Sequence, residues 1–377
     1  MNIEPFGVEI WMNATETRCE LNLAETCIHS LTPRELLALA GADRGPLAGL
    51  MDARLTYGAI EGSDRLRRAI AATYSERGPE EVVVTHGTIG ANMLVHRALV
   101  GTGDAVVCVR PTYQQHHSIP LSLGAEVREV WLREDEGWAL DLEAVARAAK
   151  GARLIALTNP NNPTGAVLRA NALRALVRIA EAEGAWLLAD EVYRGLEEGE
   201  PVPSVADLSQ RGISTCGMSK SYGLAGLRLG WVAGPREVID RVMIHRDYDT
   251  ISVGMIDDHL SALALEARDA VLVRSRELIA RNRKVVGDWI AGEDALRWTG
   301  PGEGTTMLLA YDGAEPSEAF CRALLAETGV LLTPGSALGM EGYVRLGAGC
   351  DTDVLREGLA RLSGFLAVRR RGSPPAR

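Results

Sequence analysis

From about residue 60 to residue 193, short apolar runs alternate with amphipathic ones, and this rhythm leaves few folds open. The runs EEVVVTHG, AVVCVRP, EVREVWL, RLIALTNP and AWLLADEVY read as strands. The segments between them, such as IGANMLVHRALVGTG, QQHHSIPLSLG, DLEAVARAAKG and NALRALVRIAEAEG, read as helices. Apolar strands joined by helical crossovers make a mostly parallel, doubly wound α/β sheet with both faces covered. Ligands of such a sheet bind beyond the C-terminal strand ends. A helical stretch over about 256–292 follows, then a smaller α+β region of TTMLLAYD, SEAFCRALLAETG, VLLTPG, YVRLGAG and a final helix. Upstream, Thr32, Pro33 and Glu35 read as the N-cap, first-turn proline and acidic first turn of another helix.

The 377 residues carry 40 basic and 50 acidic side chains, a net charge of −10. That balance argues against a general nucleic-acid binder. No apolar run approaches the ~18 residues of a membrane span, and the N-terminus lacks a signal-peptide core. Six scattered cysteines show no zinc spacing and read as free thiols in a cytoplasmic protein. The basic cluster Arg369–Arg371 and the following Gly-Ser-Pro-Pro read as a solvated, frayed end.

Only three of the 40 basic residues are lysine. A position that stays lysine where arginine is otherwise used is a candidate for amine chemistry. Lys150 closes a helix, where a cation suits the C-terminus, and Lys284 sits in a polar helical stretch. Lys220, in GMSKSYGLAGLRLGW, has no such structural reason. Other polar signatures fall at strand ends. Gly87 allows a tight turn into a helix whose first N–H groups suit an anion. NPNNPTG makes a rigid turn that fixes the Asn162 amide. Asp190 ends an apolar strand, where a carboxylate is costly without a cationic partner. Tyr193, Arg228 and Arg345 follow. Together these suit a phosphorylated aromatic aldehyde held on a lysine as a Schiff base. His116 and His117 read as a solvated helix start, and no metal site is in sight.

The spacing of NPNNPTG, ADEVY and SKSYGLAGLRLG resembles the fold-type I pyridoxal 5′-phosphate (PLP) dependent aminotransferases of the aspartate aminotransferase superfamily, over nearly the whole chain. The resemblance implies an enzyme moving an amino group between an L-amino acid and a 2-oxo acid. Lys220 would carry the cofactor and shuttle a proton, and Asp190 would pair with the pyridine nitrogen. Tyr193 and Asn162 would bond the ring oxygen, and Tyr113 would stack on the ring. Gly87, Thr88, Ile89, Ser219 and Arg228 would hold the phosphate, Tyr57 would reach the phosphate of a second subunit in a homodimer, and Arg345 would clamp the substrate carboxylate. Gly217 departs from the family, which often has Ser or Thr three residues before the lysine.

LNLAETC also departs, and puts Glu25 where a cationic substrate side chain would lie. The N-terminal stretch, including His29, resembles that of capreomycidine synthase, and its Glu25 segment that of PLP-dependent arginine oxidases, both acting on guanidino amino acids. Oxidation or cyclisation of such a substrate is therefore a second expectation. A non-catalytic sensor is disfavoured, since a DNA-binding domain does not fit in about 45 preceding residues. A plain Rossmann enzyme is disfavoured because no G-x-G-x-x-G opens the first unit. The expected division is a large domain over 46–265 and a small domain from 1–45 and 266–377, with the site between them.

Overall fold

A computed structural model describes residues 2–43, 45–300, 302–311 and 313–372. Seven strands form the large sheet in the spatial order Val82–His86, Leu229–Ala233, Gly212–Gly217, Trp186–Asp190, Leu154–Thr158, Ala105–Arg110 and Glu126–Trp131. Every pairing is parallel except the two that Leu229–Ala233 makes, which are antiparallel. The sheet is buried on both faces. Val83, Val106, Leu154 and Leu188 pack with Leu94, Val95 and Val238 on one side. Val107, Ile155, Leu157 and Leu187 pack with Leu173 and Leu176 on the other. This alternation along each strand explains why the sequence shows continuous apolar runs there. Each fully buried large aliphatic side chain contributes roughly 1.5–3 kcal/mol.

A second sheet of four strands contains Thr306–Tyr311 and Tyr343–Gly347, paired antiparallel. Its core is shared with both ends of the chain: Trp11, Leu23 and Ile28 pack with Leu309, Leu346, Leu355 and Leu362. A two-residue parallel ladder, Leu21–Asn22 with Val330–Leu331, fixes the N-terminal segment there. The next residues run so close to Tyr343–Gly347 that a Cβ on Gly347 would lie 1.8 Å from the Glu25 carbonyl oxygen. Only glycine permits this approach, and it holds the loop 23–27 over the ends of the large sheet.

Three expectations change. The stretch 256–292 is two helices, Met255–Glu266 and Arg268–Ile290, separated at Ala267. His116 and His117 are buried rather than solvated. The basic cluster is not a frayed end: the last helix runs over Thr352–Gly372, Arg369 lies over the Phe365 ring and pairs with Glu315, and Arg370 pairs with Glu293. Residues 373–377 of the expected end lie outside the described residues.

Candidate active site

The strand Trp186–Asp190 carries its apolar side chains into the sheet and delivers Asp190 at its C-terminal end. Asp190 is 4% exposed. Its carboxylate accepts from Asn92 Nδ2 at 2.8 Å and from the Val192 N–H at 3.1 Å. Burial outweighs these bonds and pushes its pKa up to about 6. Asn92 is held by Thr215 Oγ1, which donates to Asn92 Oδ1 at 2.6 Å. Behind Asp190, His116 Nε2 stands 3.9 Å from the carboxylate and its Nδ1 is 3.3 Å from His96 Nε2. Burial, helped by His117, lowers the His116 pKa to about 3, so the imidazole is neutral at pH 7. Asp190 therefore faces the cavity as an anion with no cation of its own.

Lys220 follows the strand Gly212–Gly217. Its Nζ donates to Thr26 Oγ1 at 2.7 Å and Cys27 Sγ at 3.2 Å, and lies 3.6 Å from Glu25 Oε1. Burial works against its charge, but Cys27, Tyr193 and Glu25 together raise its pKa. Glu25 is already engaged. Its Oε1 accepts from the Thr26 and Cys27 N–H groups at 2.6 and 2.8 Å. Burial raises its pKa, yet Lys220 and these bonds prevail and bring it down to about 2.

Arg345, in the strand Tyr343–Gly347, is 3% exposed and is held only by neutral oxygens: Asn162 Oδ1 at 3.2 Å, the Ala24 carbonyl at 3.2 Å and Thr333 Oγ1 at 3.1 Å. Its Nε has no partner among the described residues. Such a buried guanidinium asks for an anion. Tyr113 Oη donates to Glu9 Oε1 at 2.8 Å, and its ring lies 4.8 Å from that of Phe6.

At the other end, Gly87 opens the helix Gly87–Leu99 with φ +69°. A Cβ there would come 2.9 Å from Arg228 Nη2, so glycine lets the guanidinium close on the turn. The buried Thr88 hydroxyl has no partner among the described residues. The missing hydroxyl at position 217 has a structural reason. A Cβ on Gly217 would lie 2.4 Å from Thr88 Oγ1 and 3.0 Å from the Leu229 carbonyl, so the threonine occupies the space a serine would need.

One cavity of about 320 Å³ is lined by Lys220, Asp190, Tyr193, Asn162, Tyr113, Thr88, Ile89, Ser219, Arg228, Arg345 and Glu25. Tyr57 is outside it and exposed, and His29 is also exposed. A larger groove of about 1190 Å³ is an open surface whose Arg297 and Glu134 pair with each other. Asn92, Thr26 and Cys27 escaped the sequence reading, and His116 was read there as solvated. Asn92 had a signal: it lies four residues beyond Thr88, on the same face of the helix Gly87–Leu99. Among the described residues, no cluster suits a metal ion and no helix is long and apolar enough to cross a membrane.

The residues fit a phosphorylated pyridine aldehyde. The unpartnered Thr88 hydroxyl and Arg228 face an anion position, and Asp190 awaits a ring cation. Lys220 supplies an amine between them.

The profile "Aminotransferase class I and II" matches residues 29–362. Capreomycidine synthase of Streptomyces vinaceus is 31% identical over 97% of this chain and 94% of its own. A PLP-dependent aminotransferase structure from Streptococcus suis superposes with TM-score 0.95 at 39% identity, covering 100% of both chains. The PLP-dependent cyclase OrfR superposes with TM-score 0.90 at 27% identity, covering 98% of each.

Proposed function

The chain belongs to the class I and II aminotransferases, a PLP-dependent enzyme family, and from that premise we propose that it moves an amino group between an L-amino acid and a 2-oxo acid. One observation carries this reading: a lysine, a buried uncompensated carboxylate and a buried arginine held only by neutral oxygens line one cavity. When bound, PLP supplies an aldehyde for the amine and a ring that accepts electrons.

The roles of the side chains follow from their surroundings. Lys220 Nζ would hold the aldehyde and, once released, would carry the proton from the substrate Cα. Asp190 accepts a hydrogen bond from the protonated ring nitrogen, and Asn92 and the Val192 N–H keep its carboxylate aimed. Neutral His116 behind it adds no competing charge. Tyr193 and Asn162 meet the ring oxygen, and Tyr113 covers the ring face. Thr88, Ser219, Arg228 and the amides of Thr88 and Ile89 take the phosphate. Arg345 binds the substrate carboxylate with its free Nε side.

Tyr57 belongs to a homodimer in this proposal. Leu55, Tyr57, Ile60, Tyr248 and Ile251 are exposed. The carbonyl of Ile60 is bonded by Arg246, which brings the two stretches side by side. The shared core of Trp11, Ile28 and Leu346 supports a second unit built from the two chain ends, the proposed 1–45 and 266–377 against 46–265, although Leu31, Leu36, Leu37 and Val271 pack with Leu66 and Trp231 of the large unit. Six free thiols support a cytoplasmic setting.

A second reading has its own support, since a capreomycidine synthase and a PLP-dependent cyclase are among the relatives. There the same Lys220 proton transfer would lead to loss of the side-chain hydroxyl of a hydroxylated arginine as water, and a guanidine nitrogen would then bond to the carbon left unsaturated and close the ring. A single-turnover screen separates them. The PLP-loaded protein is mixed with individual amino acids. Conversion of the cofactor to its amine form, reversed by a 2-oxo acid, is expected. Release of a cyclised product with the cofactor aldehyde regenerated would overturn transamination in favour of the second reading.

A further inference from the structure

The loop 23–27 is pinned along its length, and three of its side chains converge on one amine. Asn22 Oδ1 accepts from the Ala24 and Glu25 N–H groups at 3.0 and 3.1 Å. Thr305 Oγ1 donates to the Thr26 carbonyl at 2.6 Å. A Cβ on Gly349 would lie 2.1 Å from the Cys27 carbonyl oxygen, so this glycine, like Gly347 beside Glu25, lets the chain press against the loop. The Ile28 N–H donates to the Lys220 carbonyl at 3.4 Å, which ties the loop to the lysine backbone. A loop held this way presents fixed atoms. Three of them meet Lys220 Nζ: Thr26 Oγ1 at 2.7 Å, Cys27 Sγ at 3.2 Å and Glu25 Oε1 at 3.6 Å. Burial pushes the Cys27 thiol up to about 11, so the sulfur is neutral at pH 7. Tyr193 and Tyr113 also face the amine, and burial keeps both phenols neutral. Asp190 and Glu16 are the other acids whose charge reaches it, and Arg228 and Arg345 are the cations of the same cavity. Asp190 is given to the ring nitrogen in the reading above. Glu25 alone, among the described carboxylates, stands within ion-pair distance of Nζ.

We propose that residues 25–27 form a berth for the free amine of Lys220: Thr26 and Cys27 fix where the nitrogen stands, and Glu25 is the counter-ion of its ammonium form. The inference rests on the PLP-dependent reading given above and adds positioning residues to it. A lysine that carries a proton passes through two charge states. When the substrate Cα–H bond breaks, its electrons stay on the substrate and the Nζ lone pair takes the proton. Nζ is then an ammonium, and Glu25 offsets that charge where burial would otherwise oppose it. When the N–H bond breaks on delivery, Nζ is neutral again, and its bonds to Thr26 and Cys27 keep its place. Glu25 in this role serves the proton carrier rather than a substrate side chain. Its Oε1, held by the Thr26 and Cys27 N–H groups, is already aimed at the amine.

The test reads the amine itself. Cofactor-free protein is trace-labelled with acetic anhydride between pH 8 and 10, and acetylation of its three lysines is quantified by mass spectrometry. Only a neutral amine reacts, and the exposed Lys150 and Lys284 serve as internal references. Glu25→Gln keeps the shape of the side chain and removes its charge. It should raise Lys220 labelling relative to Lys284 roughly three- to tenfold. Thr26→Val should raise the ratio roughly two- to fivefold, and Thr26→Ser, which keeps the hydroxyl, should stay within about twofold of wild type. Labelling of Lys150 and Lys284 should not change, whereas a loosened fold would expose the wild-type and variant chains differently at all three. The same order of variants should appear with pyridoxamine 5′-phosphate bound, the amine form of the cofactor that leaves Lys220 unlinked. Glu25→Gln should also capture added PLP faster at pH 8, since capture needs the neutral amine. An unchanged ratio in Glu25→Gln, or Thr26→Ser behaving as Thr26→Val does, would overturn the berth and leave the PLP reading intact. A protein that takes up no PLP at all would overturn the reading and the berth with it.

Discussion

On the sheet side of the cavity, Asp190 is buried, tied by Asn92 and Val192 N–H, and backed by two neutral histidines. On the N-terminal side, Glu9 sits half-buried and Glu16 exposed, with no ion-pair partner among the described residues. The first wall grows from strand ends fixed by seven-stranded pairing. The second hangs from a nine-residue helix and a two-residue ladder. The difference separates two jobs. Groups that manage the cofactor are rigid and desolvated, where electrostatic effects are large. Groups of the second wall lie on a segment able to vary without disturbing the sheet.

The sharpest way to break this contrast is Asp190→Asn. Activity should fall at least about 100-fold. Yet the cofactor-free variant should be more stable than wild type at pH 8, by on the order of 2–3 kcal/mol. The sign follows from the raised pKa of about 6 against an ordinary 3.8. The folded chain holds the proton more tightly, so wild-type stability declines as pH rises from about 4 to 6 and stays lower above. Asparagine has no such loss. Thermal melts across this pH range, with and without PLP, measure both effects. A variant destabilised equally at all pH values would contradict the burial argument.

Arg345→Lys comes next. Lysine keeps the charge and loses the planar fork, so KM for amino acids should rise about 10–100-fold with a smaller change in kcat. Steady-state kinetics decide it, and an unchanged KM would remove Arg345 from the substrate carboxylate.

Gly217→Ser has a smaller and counterintuitive effect. It adds the hydroxyl that the resemblance led one to expect, yet it should lower stability by about 1–3 kcal/mol and weaken PLP binding, because it collides with Thr88 Oγ1. Adding Thr88→Ala should relieve the collision. Tighter PLP binding by the single variant would refute this packing account.

Glu25→Gln should matter least to folding, by less than about 1 kcal/mol, since the side chain is 41% exposed. Its pKa is depressed to about 2. The wild-type advantage should therefore be constant above about pH 4.5 and fade as pH falls toward 2, as urea melts at several pH values would show.

The chemistry of the rigid wall was legible because its residues sit in short, ordered strings: NPNNPTG, ADEVY and SKSYGLAGLRLG each follow a strand. The lysine count narrowed the choice to three, and the helical settings of Lys150 and Lys284 left Lys220. The strands Gly212–Gly217 and Leu229–Ala233 were less legible, being rich in small residues, and Leu229–Ala233 also pairs with Val82–His86 far back in the chain. His116 was misread as solvated because polarity in sequence says nothing of what covers a helix; here His96 and Asp190 do. Glu9 and Glu16 gave no signal at all. Two acids in a short helix look like a solvent face until tertiary packing lays that helix against Tyr113.

The most direct measurement is to load the protein with PLP, reduce it with borohydride and map the modified peptide by mass spectrometry. The account predicts one pyridoxyl group per chain on Lys220, and none on the Lys220→Ala variant. A group found on Lys150 or Lys284, or none on the wild type, would contradict it.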